Sequence, residues 1–253
     1  MHERQTNPAV AYDAFAPVYD RFNAQNDHEL WLGSVLLPEL QSCGLRLGRL
    51  LDVGCGTGRA FEPMIRRGWK VHGCDISEGM LQQAREKHPG IPLSCCDATA
   101  LPTHSCKFDL ILILNDVVNY LTSDGDLERC FDGLARNVAP GGLVCLDNLT
   151  LSTIRSCFVV GTSRQRGAWT WTGAAESVDA GGIGECRIAG AGVETNYHRV
   201  RHWTDREVIE AAETSTLRVL AVRGQQEVDG RIVLAEPDPR ADERTIYIMG
   251  HRA

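Results

Sequence analysis

Between residues 49 and 149 the chain alternates two apolar patterns. Short, mainly apolar runs, Leu50 to Val53, Val71 to Cys74, Leu110 to Leu114 and Leu143 to Leu146, have the length of strands covered on both faces. Polar stretches with apolar residues at helical spacing separate most of them. The pattern predicts strands over 49–53, 70–74, 92–95, 108–113 and 142–148, and helices over 58–67, 77–87 and 124–138. Ser77 is placed to cap the second of these helices. Strands alternating with helices imply a parallel sheet joined by right-handed crossovers.

The flanks read differently. Residues 1–25 suggest a loose start and then a short helix holding Tyr12 and Phe15. From His28 to Ser42, Leu30, Trp31, Leu36, Leu37 and Leu40 keep helical spacing, and Gly44 and Gly48 close the segment. After Leu149 the chain becomes rich in β-branched, aromatic and glycine residues. Trp169–Thr172, Gly184–Ile188 and Glu194–Trp203 read as antiparallel strands inserted between the fifth and sixth strands of the main sheet. Thr204 caps a helix over 205–213, and Leu217–Arg223 and Thr245–Met249 complete the sheet. The expected organisation is therefore an N-terminal helical cap (1–45), an alternating α/β core (46–150), a β-rich insertion (151–203) and the C-terminal part of the core sheet (204–253).

The first strand ends in an acid and three alternating glycines: Asp52-Val53-Gly54-Cys55-Gly56-Thr57-Gly58. A strand running into such a turn brings a ligand against bare backbone. The dinucleotide fingerprint G-x-G-x-x-G is not met, because its third glycine would fall on Arg59. The second strand ends in Asp75, about twenty residues on, where a carboxylate can reach ribose hydroxyls. The third ends in Cys96-Asp97-Ala98, and the fourth runs into Asn115-Asp116-Val117-Val118-Asn119-Tyr120. These runs, the Pro140-Gly141-Gly142 turn and the Tyr12…Tyr19 segment resemble, in order, the motifs of class I S-adenosylmethionine-dependent methyltransferases of the small-molecule, natural-product tailoring type. The resemblance covers about Tyr12 to Leu149.

It implies a doubly wound, Rossmann-like α/β fold with seven strands in the order 3-2-1-4-5-7-6, plus the antiparallel lid. It implies S-adenosyl-L-methionine as cofactor, with the methionine part held by Asp52, Gly54, Cys55, Gly56, Gly58 and Asn115. Asp75 would hold the ribose, Asp97 and Ala98 the adenine edge, and Ile76 and Met80 its faces, with Tyr19 folding over the whole. Substrate-site candidates are Tyr12, Asn119, Tyr120, Tyr197, Arg201 and Trp203, and Tyr19 and His198 are the candidates for catalysis. No Asn/Asp-Pro-Pro-aromatic run follows the fourth strand, which argues against nucleic-acid and protein amide acceptors. His198 and His202 stand four residues apart on a strand, roughly 13 Å, too far to share a metal ion. Alternation puts Tyr197, Arg199, Arg201 and Trp203 on one face and His198, Val200 and His202 on the other, without saying which looks inward.

Composition narrows the partners. The 253 residues carry a formal net charge of -7 with no basic block, unlike a nucleic-acid binder. No apolar stretch approaches the roughly 18 residues of a membrane span, and the N-terminus has no apolar signal core, so a cytoplasmic protein is expected. Ten cysteines without a C-x-x-C pair read as small hydrophobes rather than metal ligands. The expected partner is a small-molecule acceptor; a homodimer is left open. An amine acceptor needs only to arrive neutral, whereas a hydroxyl needs a general base. The lack of an evident base motif near the fourth strand favours N-methylation, for instance of a sugar or amino-acid-like amine. His198 keeps O-methylation of a sugar or phenol open, and a non-catalytic S-adenosylmethionine-binding protein is the rival of another class.

Overall fold

The computed structural model describes residues 7–251. The first six residues of the expected helical cap and the last two of the chain lie outside them. Helix α1 (Pro8–Phe22) starts on an Asn7 cap that accepts from the Ala9 N–H at 2.9 Å. Helical segments α2 (His28–Leu30) and α3 (Leu37–Ser42) are joined without a break by a π-helical stretch, Trp31–Leu36. The widened stretch ends at Leu36, two residues before Pro38, which has no N–H to donate.

The main sheet contains β1 (Arg49–Val53), β2 (Lys70–Asp75), β3 (Leu93–Cys95), β4 (Phe108–Ile113) and β5 (Val138–Leu149), all parallel where they pair. Helices α4 (Phe61–Arg66), α5 (Glu78–Lys87) and α6 (Asp126–Asn137) connect or flank them. The predicted first helix begins three residues late. Gly54, Gly56 and Gly58 take φ of +73°, +54° and +77°, which no right-handed first turn can contain. After β5 come α7 (Leu151–Phe158) and a separate antiparallel sheet of β6 (Ser163–Arg166), β7 (Trp169–Gly173), β8 (Ile183–Gly190) and β9 (Val193–Arg201). Helix α8 (Asp205–Thr214) opens on a capping box between Thr204 and Glu207. Strands β10 (Leu217–Val228), β11 (Arg231–Ala235) and β12 (Arg244–His251) complete the main sheet.

Its order is β11-β10-β12-β5-β4-β1-β2-β3. With β10 and β12 as the sixth and seventh strands this is the expected 3-2-1-4-5-7-6, with an eighth strand on the edge. The added hairpin turns at Asp229 and Gly230, with φ of 51° and 72°. Asp-Gly between apolar runs is a hairpin signal that the sequence reading passed over. Helix α7 and strand β6 also lay outside the expectation.

The apolar runs are explained by the two core layers. Leu51, Ile111, Val144 and Tyr247 face α6 and α8, whereas their neighbours Leu50, Leu110, Cys145 and Ile246 face Phe61, Met64 and the 28–42 helix. All eight are at most 1% exposed, as a strand covered on both faces requires. The lid has its own small core of Ile154, Phe158, Cys186 and Val200, and α1 packs Phe15, Val18 and Phe22 on Trp169 and Ile188 of the lid.

One buried side chain ties lid to sheet. Asn119 sits in the short 3-10 turn after β4 (Val117–Tyr120) and is fully buried. Its Nδ2 donates to Asn148 Oδ1 at 2.8 Å and to the Arg201 carbonyl at 2.9 Å, and its Oδ1 accepts from the Leu149 N–H at 3.0 Å. Asn119→Ala would orphan three buried polar groups. We expect it to lower stability by on the order of 2–3 kcal/mol in urea denaturation of the ligand-free protein. Unchanged stability would mean that the lid does not depend on this knot.

Candidate functional site

The carboxyl ends of β1, β2, β3 and β4 open on a cavity of about 400 Å³. Such a position at a topological switch point is where open α/β sheets bind ligands. Its floor is the glycine turn. Gly54 packs so closely that a Cβ there would lie 2.3 Å from Val117. Gly56 is different: a Cβ there would meet only Tyr19, at 3.9 Å, so its bare backbone faces the cavity. Gly58 does not line the cavity; a Cβ on it would press on Phe61 and His88. Its absent side chain serves packing between the turn and its helices.

Two acids stand over this turn from adjacent strands. Asp75 Oδ2 accepts from the Gly56 N–H and Oδ1 from the Ser77 N–H, both at 2.8 Å. Burial pushes its carboxyl up, although these two N–H groups pull it back down. Asp52, 6% exposed, has no such donors, and burial and then the nearby Asp75 push it up to about 8. Asp97 is exposed, caps the short turn Ala98–Ala100, and accepts from both the N–H and hydroxyl of Thr99 at 2.8 Å. Cys55, Ile76, Met80 and Ala98 line the same cavity, as do Asn115, Tyr12, Tyr19 and Tyr120. Burial raises the phenols of Tyr12, Tyr19 and Tyr120 far above the ordinary value, so all three stay protonated.

The wall formed by the loop after β4 is strained. Asn115 and Asp116 are consecutive non-glycine residues with φ of 60° and 70°. Their N–H groups donate to the two oxygens of buried Asp147, at 2.9 and 3.0 Å. Arg244, arriving from β12, binds both Asp147 (2.9 Å) and Asp116. No local run announces this device, because its parts lie on β5, β12 and the loop.

A second cavity, about 330 Å³, lies on the lid side and shares Tyr12, Tyr19, His28, Asn115 and Tyr120 with the first. His198 lines it and is 3% exposed. Its Nδ1 pairs with the Tyr120 hydroxyl at 2.9 Å, its ring stacks on Trp171 with centroids 6.1 Å apart, and Tyr12 meets it edge-on at 5.5 Å. Its Nε2 has no hydrogen-bond partner among the described residues. Burial pushes the imidazole down to about 4, so it is neutral at neutral pH.

The remaining lid candidates sit elsewhere. Of β9, it is the Asn196, His198 and Val200 face that is buried. Tyr197 lines neither cavity. Arg201 pairs with Asp124 at 2.7 Å and Glu207 at 3.1 Å and lies over the Trp203 ring. Trp203 is buried and donates to the Val118 carbonyl at 3.0 Å. These contacts, like those of Asn119, hold the lid to the sheet. Sequence reasoning missed Trp31, which reaches the first cavity and donates to Gln225 Oε1 at 3.0 Å, and Phe22 and Trp171 in the second. Each comes from an element whose placement over the site only packing defines.

Among the described residues no group of three or more His, Cys, Asp or Glu could hold a metal ion, and no helix is long and apolar enough to cross a membrane. All ten cysteines are free thiols.

Comparison with known proteins agrees with this geometry. Residues 50–142 match the family described as a methyltransferase domain. A dTDP-4-amino-2,3,4,6-tetradeoxy-D-glucose N,N-dimethyltransferase of Saccharopolyspora spinosa is 31% identical over 140 residues, covering 55% of this chain and 53% of that protein. The chain spans about half the length of the curated relatives it matches. An S-adenosylmethionine-dependent methyltransferase from Clostridium acetobutylicum ATCC 824 superposes with a TM-score of 0.75 at 20% identity, over 96% of this chain and 99% of that one. The amino pentose methyltransferase CalS10 from Micromonospora echinaspora, solved with S-adenosylmethionine bound, does so with 0.66 at 17% identity, over 94% and 96%. Residues 50–142 are thus similar to a methyltransferase domain, and the chain has the fold of these solved methyltransferases.

The acids make a prediction of their own. Between about pH 4 and pH 8 folded Asp52 keeps a proton that the unfolded chain has released, so stability falls as pH rises through that window. Asp52→Asn should therefore raise the stability of the ligand-free protein at pH 8. The advantage should shrink towards pH 4 by on the order of 1.4 kcal/mol per unit, measured by urea denaturation at several pH values. A gap that does not change with pH would deny Asp52 its raised pKa.

Proposed function

We propose that this chain is an S-adenosylmethionine-dependent methyltransferase whose acceptor is an amine on a small polar molecule, of the amino-sugar or amino-acid-like kind found in natural-product intermediates. The observation that carries the reading is the cavity at the strand ends, where a bare Gly56 backbone is pinned by Asp75 and flanked by Asp52 and Asp97. A nucleoside carrying a cationic amino-acid tail fits that donor set: carboxylates for hydroxyls and ammonium, and glycine backbone where a side chain would collide. The relative from Saccharopolyspora spinosa, named as a sugar amine dimethyltransferase, and the amino pentose enzyme support the choice of acceptor.

In this reading Asp75 accepts from the ribose hydroxyls, Asp97 and Ala98 bind the adenine edge, and Ile76 and Met80 cover its faces. Asp52, Gly54, Gly56 and Asn115 hold the methionine end, and Tyr19 closes over it from α1. S-adenosylmethionine supplies an activated methyl group on a cationic sulfur. The protein's part is alignment and exclusion of water, which can contribute roughly 7–11 kcal/mol. Tyr12, Tyr120 and His198, at the boundary of the two cavities, would orient the acceptor. With a pKa of about 4, His198 is poorly matched to deprotonating a hydroxyl near neutral pH, whereas an amine entering this aromatic enclosure loses its proton more readily than in water. That difference favours nitrogen over oxygen.

Two measurements test the reading. Incubation with methyl-tritiated S-adenosylmethionine and a panel of amino sugars and amino acids should label an amine acceptor, with a rate that rises with pH until the amine is neutral. Labelling of hydroxyl analogues alone would move the reaction to oxygen, and cofactor binding without turnover on any acceptor would leave a binding protein. Separately, Asp75→Ala should weaken S-adenosylhomocysteine binding by on the order of 2–3 kcal/mol in calorimetry, through the loss of two charge-assisted hydrogen bonds. Unaltered affinity would remove Asp75 from the nucleoside pocket.

A further inference from the structure

The lid-side cavity is chemically uneven. Where it meets the first cavity its lining is mainly aromatic, through Tyr12, Tyr19 and Tyr120. Beyond that boundary three guanidinium groups line it from two separate elements: Arg164 and Arg166 from β6, and Arg240 from the connection between β11 and β12. None of the three forms an ion pair among the described residues. Two of the three acids lining the same cavity are already engaged: Asp116 is bound by Arg244, and buried Asp242 accepts from Gln226 Nε2 and the Asp238 N–H, each at 2.7 Å. The third, Glu243, is exposed and adds its charge to the field around Arg244. Two of the arginines are also held in place. Arg166 lies over the Phe22 ring at 5.3 Å, and Arg164 donates to Ser156 Oγ at 3.2 Å. A further unmet polar atom belongs to the same cavity, the Nε2 of His198, buried and without a partner.

We infer that the acceptor is a zwitterion, with an oxyanion, phosphoryl or carboxylate, that Arg164, Arg166 and Arg240 bind on the far side of the lid cavity from the amine. The inference rests on the methyltransferase reading for the amine, but the anion site stands on the arginines themselves. Planar guanidinium forks match the paired oxygens of either anion, and three lining one cavity from one strand and one connection select for negative charge there in a chain whose net charge is -7. An amine at the aromatic boundary and an anion beyond it would fix the acceptor's direction as well as its identity. His198 Nε2, which lines the same cavity without a partner, adds hydrogen-bonding capacity for a further polar group of the acceptor.

Calorimetry on the full chain saturated with S-adenosylhomocysteine tests this with two probes, inorganic pyrophosphate and succinate. At least one should bind, more weakly as salt is raised. The Arg164→Gln/Arg166→Gln double variant, and Arg240→Gln on its own element, should each weaken that binding by about tenfold or more. S-adenosylhomocysteine affinity should be unchanged, and Arg231→Gln, outside the cavity, should have no effect. Pyrophosphate binding alone marks a phosphoryl acceptor and succinate alone a carboxylate. The inference fails if neither anion binds, if binding survives both sets of substitutions, or if Arg231→Gln weakens it equally. Failure of S-adenosylhomocysteine to bind would overturn the cofactor reading instead, and repeating the anion titrations without it keeps the two outcomes separate.

Discussion

The carboxylate of Asp75 is the contact on which the site depends. Its two oxygens are spent on the N–H groups of Gly56 and Ser77, one in the glycine turn after β1 and the other at the start of α5. A single side chain therefore joins the glycine turn to the start of α5, beside strand ends already paired through their backbones. Asp52 stands beside it without comparable donors, so burial and its neighbour's charge act on it unopposed. Asp52 therefore keeps its proton in the ligand-free fold up to about pH 8, which avoids two unpaired negative charges in one sheltered cavity.

The opposite wall obeys the same logic with different parts. A chain that must turn sharply out of β4 adopts left-handed conformations at Asn115 and Asp116, each costing on the order of 1 kcal/mol. Asp147 recovers both N–H groups, and Arg244 neutralises Asp147 and Asp116 together. The last strand of the sheet thus shapes a loop more than a hundred residues earlier. Rigid backbone on both sides of the opening suits a reaction in which alignment, rather than proton transfer by the protein, supplies most of the acceleration.

The lid completes the enclosure by packing rather than by chemistry. Phe15, Val18 and Phe22 of α1 lock against Trp169 and Ile188, and Asn119 with Trp203 ties β9 to the loop after β4. Residues that look reactive in a linear reading, Arg201 and Asn119 among them, are consumed in these ties. The polar groups that face the second cavity include His198, buried and neutral, and the arginines of β6 and the last loop.

The parallel strands and the acids at their ends were legible in the chain because each is a local pattern, whereas the strand order came only through the family resemblance. Near-continuous apolar runs report burial on both faces, and a strand's last residue lands at the ligand end of a parallel sheet wherever the sheet lies. The Asp229-Gly230 hairpin was equally local and simply went unread. Which face of β9 turns inward was a different kind of question. Period-two alternation separates Tyr197 and Arg201 from His198 and Val200 but carries no sign, and α1, α7 and the neighbouring strands supplied it by burying the second set. The same holds for Arg244 on Asp147 and for the arginines of the lid cavity. Contacts between distant segments depend on how whole elements pack, and no spacing along one strand encodes them.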